Sequence, residues 1–278
     1  MPLNSVNTNV GAMVALQNLN STNRELDITQ GRINTGLKIA SAKDNGAIYA
    51  IAQGQKATSN ALNAVMDSLN RGKSVVDVAM AGGETIADLL NQMKSKALAA
   101  QEAGLDTTSR TALNEEFKSL RDQIAKTVTN ATFNGANMIQ ATGQSVFALG
   151  NADGSSRITV GAISLALGGG ATGVTVTATT SFSTATQAAA ARALVDASIT
   201  NVSAALAKLG TGSKALDTHL NFISKLQDTV DAGIGNLIDA DLAKESARLQ
   251  ALQTKQQLGI QALSIANSAS SSILGLFR

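Results

Sequence analysis

The chain has 278 residues, with 22 Lys and Arg against 20 Asp and Glu, and this near-balance leaves no basic cluster of the kind a nucleic-acid surface needs. It contains no Cys, which excludes disulfide frameworks, thiolate metal sites and Cys nucleophiles. Hydrophobic residues make up 44% but aromatics only 3%, so Ala and Leu supply the apolar surface, a composition suited to long helices packed closely rather than to a thick globular core.

Pro2 is the only proline, so nothing after it carries a built-in helix breaker. No Lys or Arg precedes Arg24, so there is no cationic n-region and no cleavable signal peptide is expected. No run approaches the length of a membrane span, so no membrane insertion is expected.

The first element reads as a heptad helix. Ala12, Leu19, Leu26, Ile33 and Ala40 fall seven apart, and Leu16, Asn23, Gln30 and Leu37 follow four residues behind the first four. That pattern predicts a coiled-coil seam with two polar layers, which lower stability and hold the register. A second helix is predicted from about 57 to 103, on a stripe running Leu62, Val65, Leu69, Gly72, Val76, Ala79, Gly83, Ile86, Leu90, Met93 and Ala97. At ~1.5 Å per residue its ~45 residues would reach about 68 Å. Gly104 reads as a C-cap, Asp106 or Thr107 as the next N-cap, and a shorter helix follows on Leu113, Phe117, Leu120, Ile124 and Val128.

Between about 133 and 186 charge almost vanishes, and "VTVTATT" alternates apolar and polar residues. A small β-hairpin region is predicted there. Helical spacing then resumes from Val195 to Leu237, interrupted only by Ser213 and Gln227. The last stretch carries two seven-spaced series, one with Leu242, Leu249, Leu263 and Phe277, the other with Leu252, Gly259, Ala266 and Ile273. The fold class is thus mainly α: long coiled-coil-like helices folded back on each other around a small β-hairpin region. A chain folded at its middle brings two heptad tails together.

Those tails hold more apolar surface than one seam can cover. Leu252, Leu258, Ile260, Leu263, Ile265, Ile273, Leu274, Leu276 and Phe277 spread around more than one stripe. The expectation is self-association, in which the tails become fully buried only among further copies; an ordinary intramolecular bundle is the alternative.

Chemistry has little to stand on. His219 is the single histidine, so neither an H-E-x-x-H metal site nor a Ser-His-Asp triad can be drawn. "GGGATG" lacks the Lys of a phosphate-binding loop. Lys43 beside Asp44 reads as an ion pair in a connector rather than an acid–base pair. No enzyme, cofactor or metal is expected. The Ser and Thr residues after Ala171 are expected to face solvent, which makes Thr175, Thr177, Thr179, Thr180, Ser181 and Ser183 candidates for O-glycosylation.

Four segments in order, "NTNVGAMVALQNLN", "GRINTGLKIASAKDNGAIYAIA", "TFNGANMI" and "LGIQALSIANSASSSILGLFR", resemble bacterial flagellin, and the short length resembles the alphaproteobacterial type without extra outer domains. The resemblance covers roughly 4–140 and 190–278. It implies a subunit that polymerises into the flagellar filament, the propeller of swimming motility. It implies an inner, filament-core domain of about 1–42 with 239–278, and an outer helical domain of about 43–238. The inner seams would then be carried by Leu16, Leu19, Leu26, Ile33, Leu37, Leu249, Leu252, Leu263, Ile273, Leu274 and Phe277. Lys38, Lys43, Asp44 and Asn45 would form the connector, where the family often has Arg at 38 and two acidic residues at 44 and 45. The partners implied are further copies of the chain, the type III flagellar export apparatus with a secretion chaperone, and cap and hook-junction proteins, with an extracellular location. A hook–filament junction protein and a secreted coiled-coil effector are the competing readings.

Overall fold

The computed structural model describes residues 8–275, and side chains as far as Ser268 apart from Ala171. Five helices carry most of it. Helix α1 spans Val10–Thr35, where Asn9 caps the first turn by accepting the Ala12 amide at 2.9 Å and Gly36 ends the helix at φ +70°. Helix α2 spans Gly46–Ala99 and begins on Asn45, whose Oδ1 accepts the Ile48 amide at 3.2 Å. It starts eleven residues before the stripe predicts.

Helix α3 spans Thr107–Asn130 and is capped by Asp106, one of the two candidates the sequence offers. The turn before it is held from inside α3: the Arg110 guanidinium donates to the carbonyls of Ala100, Glu102 and Leu105 at 3.0–3.2 Å. Helix α4 spans Ala185–Ile238. Its start is a capping box, with Thr184 Oγ1 accepting the Gln187 amide and Gln187 Oε1 accepting the Thr184 amide, both at 3.3 Å. Helix α5 spans Leu242–Gly275 and starts on Asp241, which accepts the Ala243 and Lys244 amides.

The β region is smaller than the alternation suggests. Strands β1 (Val146–Leu149) and β2 (Arg157–Val160) pair antiparallel, Val146 opposite Val160 and Leu149 opposite Arg157. The segment "VTVTATT" joins no ladder. Val174 and Val176 are buried as alternation requires, yet the amides of Thr175 and Val176 donate to the Ser198 hydroxyl of α4, at 2.9 and 3.4 Å. A helix side chain thus meets the amides, while the carbonyls of Val174 and Val176 accept the Gly169 and Gly168 amides at 3.0 and 2.8 Å in a single parallel bridge to Leu167.

The chain divides into two compact units, with boundaries after Ala57 in α2 and before Thr229 in α4. The unit Thr58–Asp228 holds one continuous core. Every residue of the predicted α2 stripe from Leu62 to Ala97 is buried in it. These residues pack with Phe117, Ile124 and Val128 of α3, with Val202, Leu209 and Leu216 of α4, and with Met138, Ile139, Leu165 and Phe182 from the connecting segments. Helices α2 and α4 run antiparallel here, joined by Lys73–Asp217 at 2.5 Å, Lys94–Asp196 at 2.7 Å and the amide pair Gln227–Asn63 at 2.9 Å. The other unit, up to Ala57 and from Thr229 onward, contains α1, α5 and a small core of Ile39, Ala52, Ile234 and Ile238.

Candidate self-assembly surface

Helices α1 and α5 form an antiparallel pair. Contacts run from Asn9, whose Nδ2 donates to the Ala266 carbonyl at 2.7 Å, through Gln256 Nε2 on Asn23 Oδ1 at 2.8 Å, to Arg32 on Glu245 at 3.1 Å. The α5 side of the seam is Glu245, Leu249, Leu252, Gln256, Gly259, Leu263 and Ala266, the two series read from the sequence merged into one. Gly259 lets the helices close, since a Cβ there would lie 3.3 Å from Leu19 Cδ1.

The α1 side corrects the sequence reading. Ala12, Leu19, Leu26 and Ile33 do face inward, but the second row is Ala15, Thr22 and Thr29, one residue earlier than the expected row; of that row only Asn23, half-buried, reaches across the seam, to Gln256. Leu16 and Gln30 are exposed, Leu16 at 48%. Leu37 is not on the seam at all, because Gly36 ends α1. It pairs with Asp239 in an isolated bridge and packs against the Ile39–Ile238 cluster. Small Ala and Thr allow a closer approach than Leu would, and Thr22 satisfies its hydroxyl within its own helix on the Asn18 carbonyl at 2.9 Å. Of the remaining expected seam residues, Phe277 lies outside the described residues, and so do the side chains of Ile273 and Leu274.

A pair of helices covers one stripe on each, and the rest stays open. On α1, Val10, Met13, Val14, Leu16 and Ile28 are exposed; on α5, Leu258 is exposed at 59%, Ile260 at 54% and Ile265 at 70%. Leu258 and Ile260 flank Gly259 on opposite sides of the seam, so the open apolar surface of α5 lies on both flanks. Fully burying one such side chain is worth about 1.5–3 kcal/mol.

The connector is built from backbone bonds. The amides of Lys38 and Ile39 donate to the Ile238 carbonyl at 2.6 and 3.3 Å, and the Ala240 amide donates to Gly36 at 2.9 Å. The expected Lys43–Asp44 ion pair is absent among the described residues. Asp44 instead turns its carboxylate back on the chain, accepting the Ser41 amide at 2.9 Å, the Ser41 hydroxyl at 3.1 Å and the Ala40 amide at 3.1 Å. Those bonds from Ser41, then Ala40, with Arg32 adding its charge, hold the carboxyl below its ordinary 3.8. Lys38 and Lys43 project into solvent, and Asn45 is occupied as the α2 cap.

The Ser/Thr segment is less open than predicted. Thr177, Thr179, Ser181 and Ser183 are exposed, while Thr175 and Thr180 are half-buried. Thr175 donates its hydroxyl to the Leu194 carbonyl at 2.7 Å. The ring of His219 meets the Gly150 carbonyl at 2.7 Å through Nε2, and no group of His, Asp and Glu suited to a metal occurs among the described residues. Sequence reasoning passed over Arg32 and Glu245. Glu245 sits one heptad before Leu252, at a seam position, which is the signal that marks it.

Two family models match the chain: the bacterial flagellin N-terminal helical region over residues 6–144 and the bacterial flagellin C-terminal helical region over 193–277. The flagellin FljN of Caulobacter vibrioides is 60% identical over 278 residues, covering 100% of both chains. The flagellin FljM of the same organism is 59% identical over 281 residues, again with 100% coverage of both. A flagellin of Brucella melitensis is 38% identical over 287 residues, covering 99% of each chain. Among solved structures, the flagellin of Bacillus cereus aligns with a TM-score of 0.50 at 22% identity, over 56% of this chain and 88% of that one, a likeness of fold.

Proposed function

The chain belongs to the bacterial flagellin family and is a structural subunit of the flagellar filament, and we propose that it polymerises through the apolar surface that the α1–α5 seam leaves open. The carrying observation is the exposure of Leu258, Ile260 and Ile265 on both flanks of a helix already paired along its third side. Side chains of that size lose free energy in water and gain it against a like surface on a second copy. The polar seam layers, Asn23 with Gln256 and Arg32 with Glu245, support pairing in one register without making the pair independently strong.

In this reading 1–42 with 239–278 line the filament core, and 43–238 form its outer part. The subunit acts in the extracellular filament, reached through the flagellar export apparatus without a cleaved signal. A secretion chaperone shields the same apolar faces beforehand, and cap and hook-junction proteins engage them at the filament's ends. No described helix is long and apolar enough to cross a membrane. Membership of a structural family supports a role without catalysis.

The test is a triple substitution, Leu258→Ser, Ile260→Ser and Ile265→Ser. Polymerisation onto sheared filament seeds, followed by electron microscopy, should fall at least tenfold, while circular dichroism of the monomer stays near wild type because none of the three lies on the seam. Growth at the wild-type rate would overturn the reading. O-glycosylation is proposed at the exposed Thr177, Thr179, Ser181 and Ser183, with Thr175 and Thr180 disfavoured because they are half-buried. An intact mass from native filaments above the sequence mass is the expected result, and an unmodified mass removes the proposal.

A further inference from the structure

The chain contains two Asn-Gly steps, Asn45-Gly46 and Asn134-Gly135. The fold treats them in opposite ways. Asn45 is committed to α2: its side-chain oxygen accepts the Ile48 amide at 3.2 Å, its carbonyl accepts the Tyr49 amide at 3.0 Å, and Gly46 is the first helical residue. Asn134 and Gly135 form the tip of a two-residue turn, with φ +50° and +79°. The flanking residues bond reciprocally, Phe133 N to Ala136 O and Ala136 N to Phe133 O, each at 3.0 Å. This is the left-handed turn that Asn-Gly favours. Both tip residues are exposed, and a Cβ placed on Gly135 would meet nothing within 4 Å beyond its chain neighbours. Neither the Asn134 side chain nor the Gly135 amide has a hydrogen-bond partner among the described residues.

We propose that Asn134-Gly135 is a site of spontaneous deamidation and isoaspartate formation. The Gly135 amide nitrogen, having lost its proton, attacks Asn134 Cγ. A Cγ–N bond forms, the Cγ–Nδ2 bond breaks, and the side-chain nitrogen leaves as ammonia. Water then opens the five-membered succinimide at one of its two carbonyls. One opening yields Asp with the chain path unchanged; the other yields isoaspartate, with the main chain routed through the former side chain. The net reaction consumes one water and releases one ammonia, and no catalyst or redox partner is needed. Glycine favours it because no Cβ obstructs the approach at its nitrogen.

The outcome matters locally. Isoaspartate adds a methylene to the backbone of a two-residue turn, which cannot keep the reciprocal Phe133–Ala136 bonds. Either product also places a negative charge a few residues past the end of α3, on the side where the helix dipole is negative. Asn137, just beyond the turn, donates to the Val128 carbonyl of that helix end at 2.7 Å and ties the two together.

Hydroxylamine cleaves at succinimides and reads the chemistry directly. Purified full-length chain, folded at neutral pH, should yield fragments 1–134 and 135–278 at least fivefold faster than 1–45 and 46–278. Peptide mapping after prolonged incubation should find the one-mass-unit gain at Asn134, with both Asp and isoaspartate. Asn134→Gly keeps a turn-compatible pair and should abolish the 1–134 fragment while leaving the circular dichroism unchanged. Equal cleavage at the two steps, or faster cleavage after Asn45, would overturn the assignment, as would an absence of both products.

Discussion

Gly212 shows how much one hydrogen in place of a methyl can decide. It lies on α4 under β2, and a Cβ there would fall 2.6 Å from Val160 Cγ1 and 3.0 Å from Cγ2. Val160 is itself buried in the sheet's inner face, so neither side yields cheaply. Gly210, two residues away on the same helix, would meet nothing within 4 Å. The two glycines therefore predict opposite signs. Gly212→Ala should lower unfolding stability by about 1–3 kcal/mol through overpacking. Gly210→Ala should raise it by about 0.5–1 kcal/mol through helix propensity. Denaturant unfolding of the two variants beside wild type checks both. A shared sign would mean that α4 does not pack on β2 as described.

At the level of elements, the turn between α1 and α2 depends on an anion. Asp44 binds two backbone amides and a hydroxyl within Ala40–Ser41, and its folded-state carboxyl titrates below the ordinary 3.8. A depressed carboxyl contributes stability that is present above the unfolded value and is lost as pH falls through the folded one. The turn should therefore hold at neutral pH and loosen in acid below about 3.8. In an NMR titration, the Asp44 carboxyl and the Ser41 amide should share one midpoint below that value. A midpoint at or above it would show that the carboxylate is not held by the turn. The seam between α1 and α5 carries charge differently: Glu245 is buried and bonds Arg32 through one oxygen, leaving its other oxygen and Arg32 Nε without hydrogen-bond partners among the described residues. Such a layer opposes slippage more than it adds affinity.

For the molecule as a whole, how much was legible varies along the chain for identifiable reasons. The α2 stripe could be read residue by residue, because from Leu62 to Ala97 the helix is pressed on a core that fills every 3-4 step. The second row of α1 could not. Ala15 and Leu16 are adjacent and both apolar, so periodicity alone cannot say which faces α5, and hydrophobicity favours the wrong one. The alternation of "VTVTATT" correctly placed Val174 and Val176 inside, but whether a strand or a helix hydroxyl would meet the amides between them depended on Ser198, more than twenty residues away. Asp44's partners could not be read, since a carboxylate beside a lysine looks like an ion pair until backbone geometry supplies other donors. From the amino-acid order come the long helices, a cap at Asp106 or Thr107, and an excess of apolar surface at the two ends, because these follow from local spacing and backbone preference; the stop of α1 at Gly36 was not read there. Which flank of each terminal helix is covered, and which is left for another copy, follows from the rotation at which α1 meets α5. That rotation is set by Gly259 against Leu19 and by Arg32 against Glu245, contacts between residues more than two hundred positions apart.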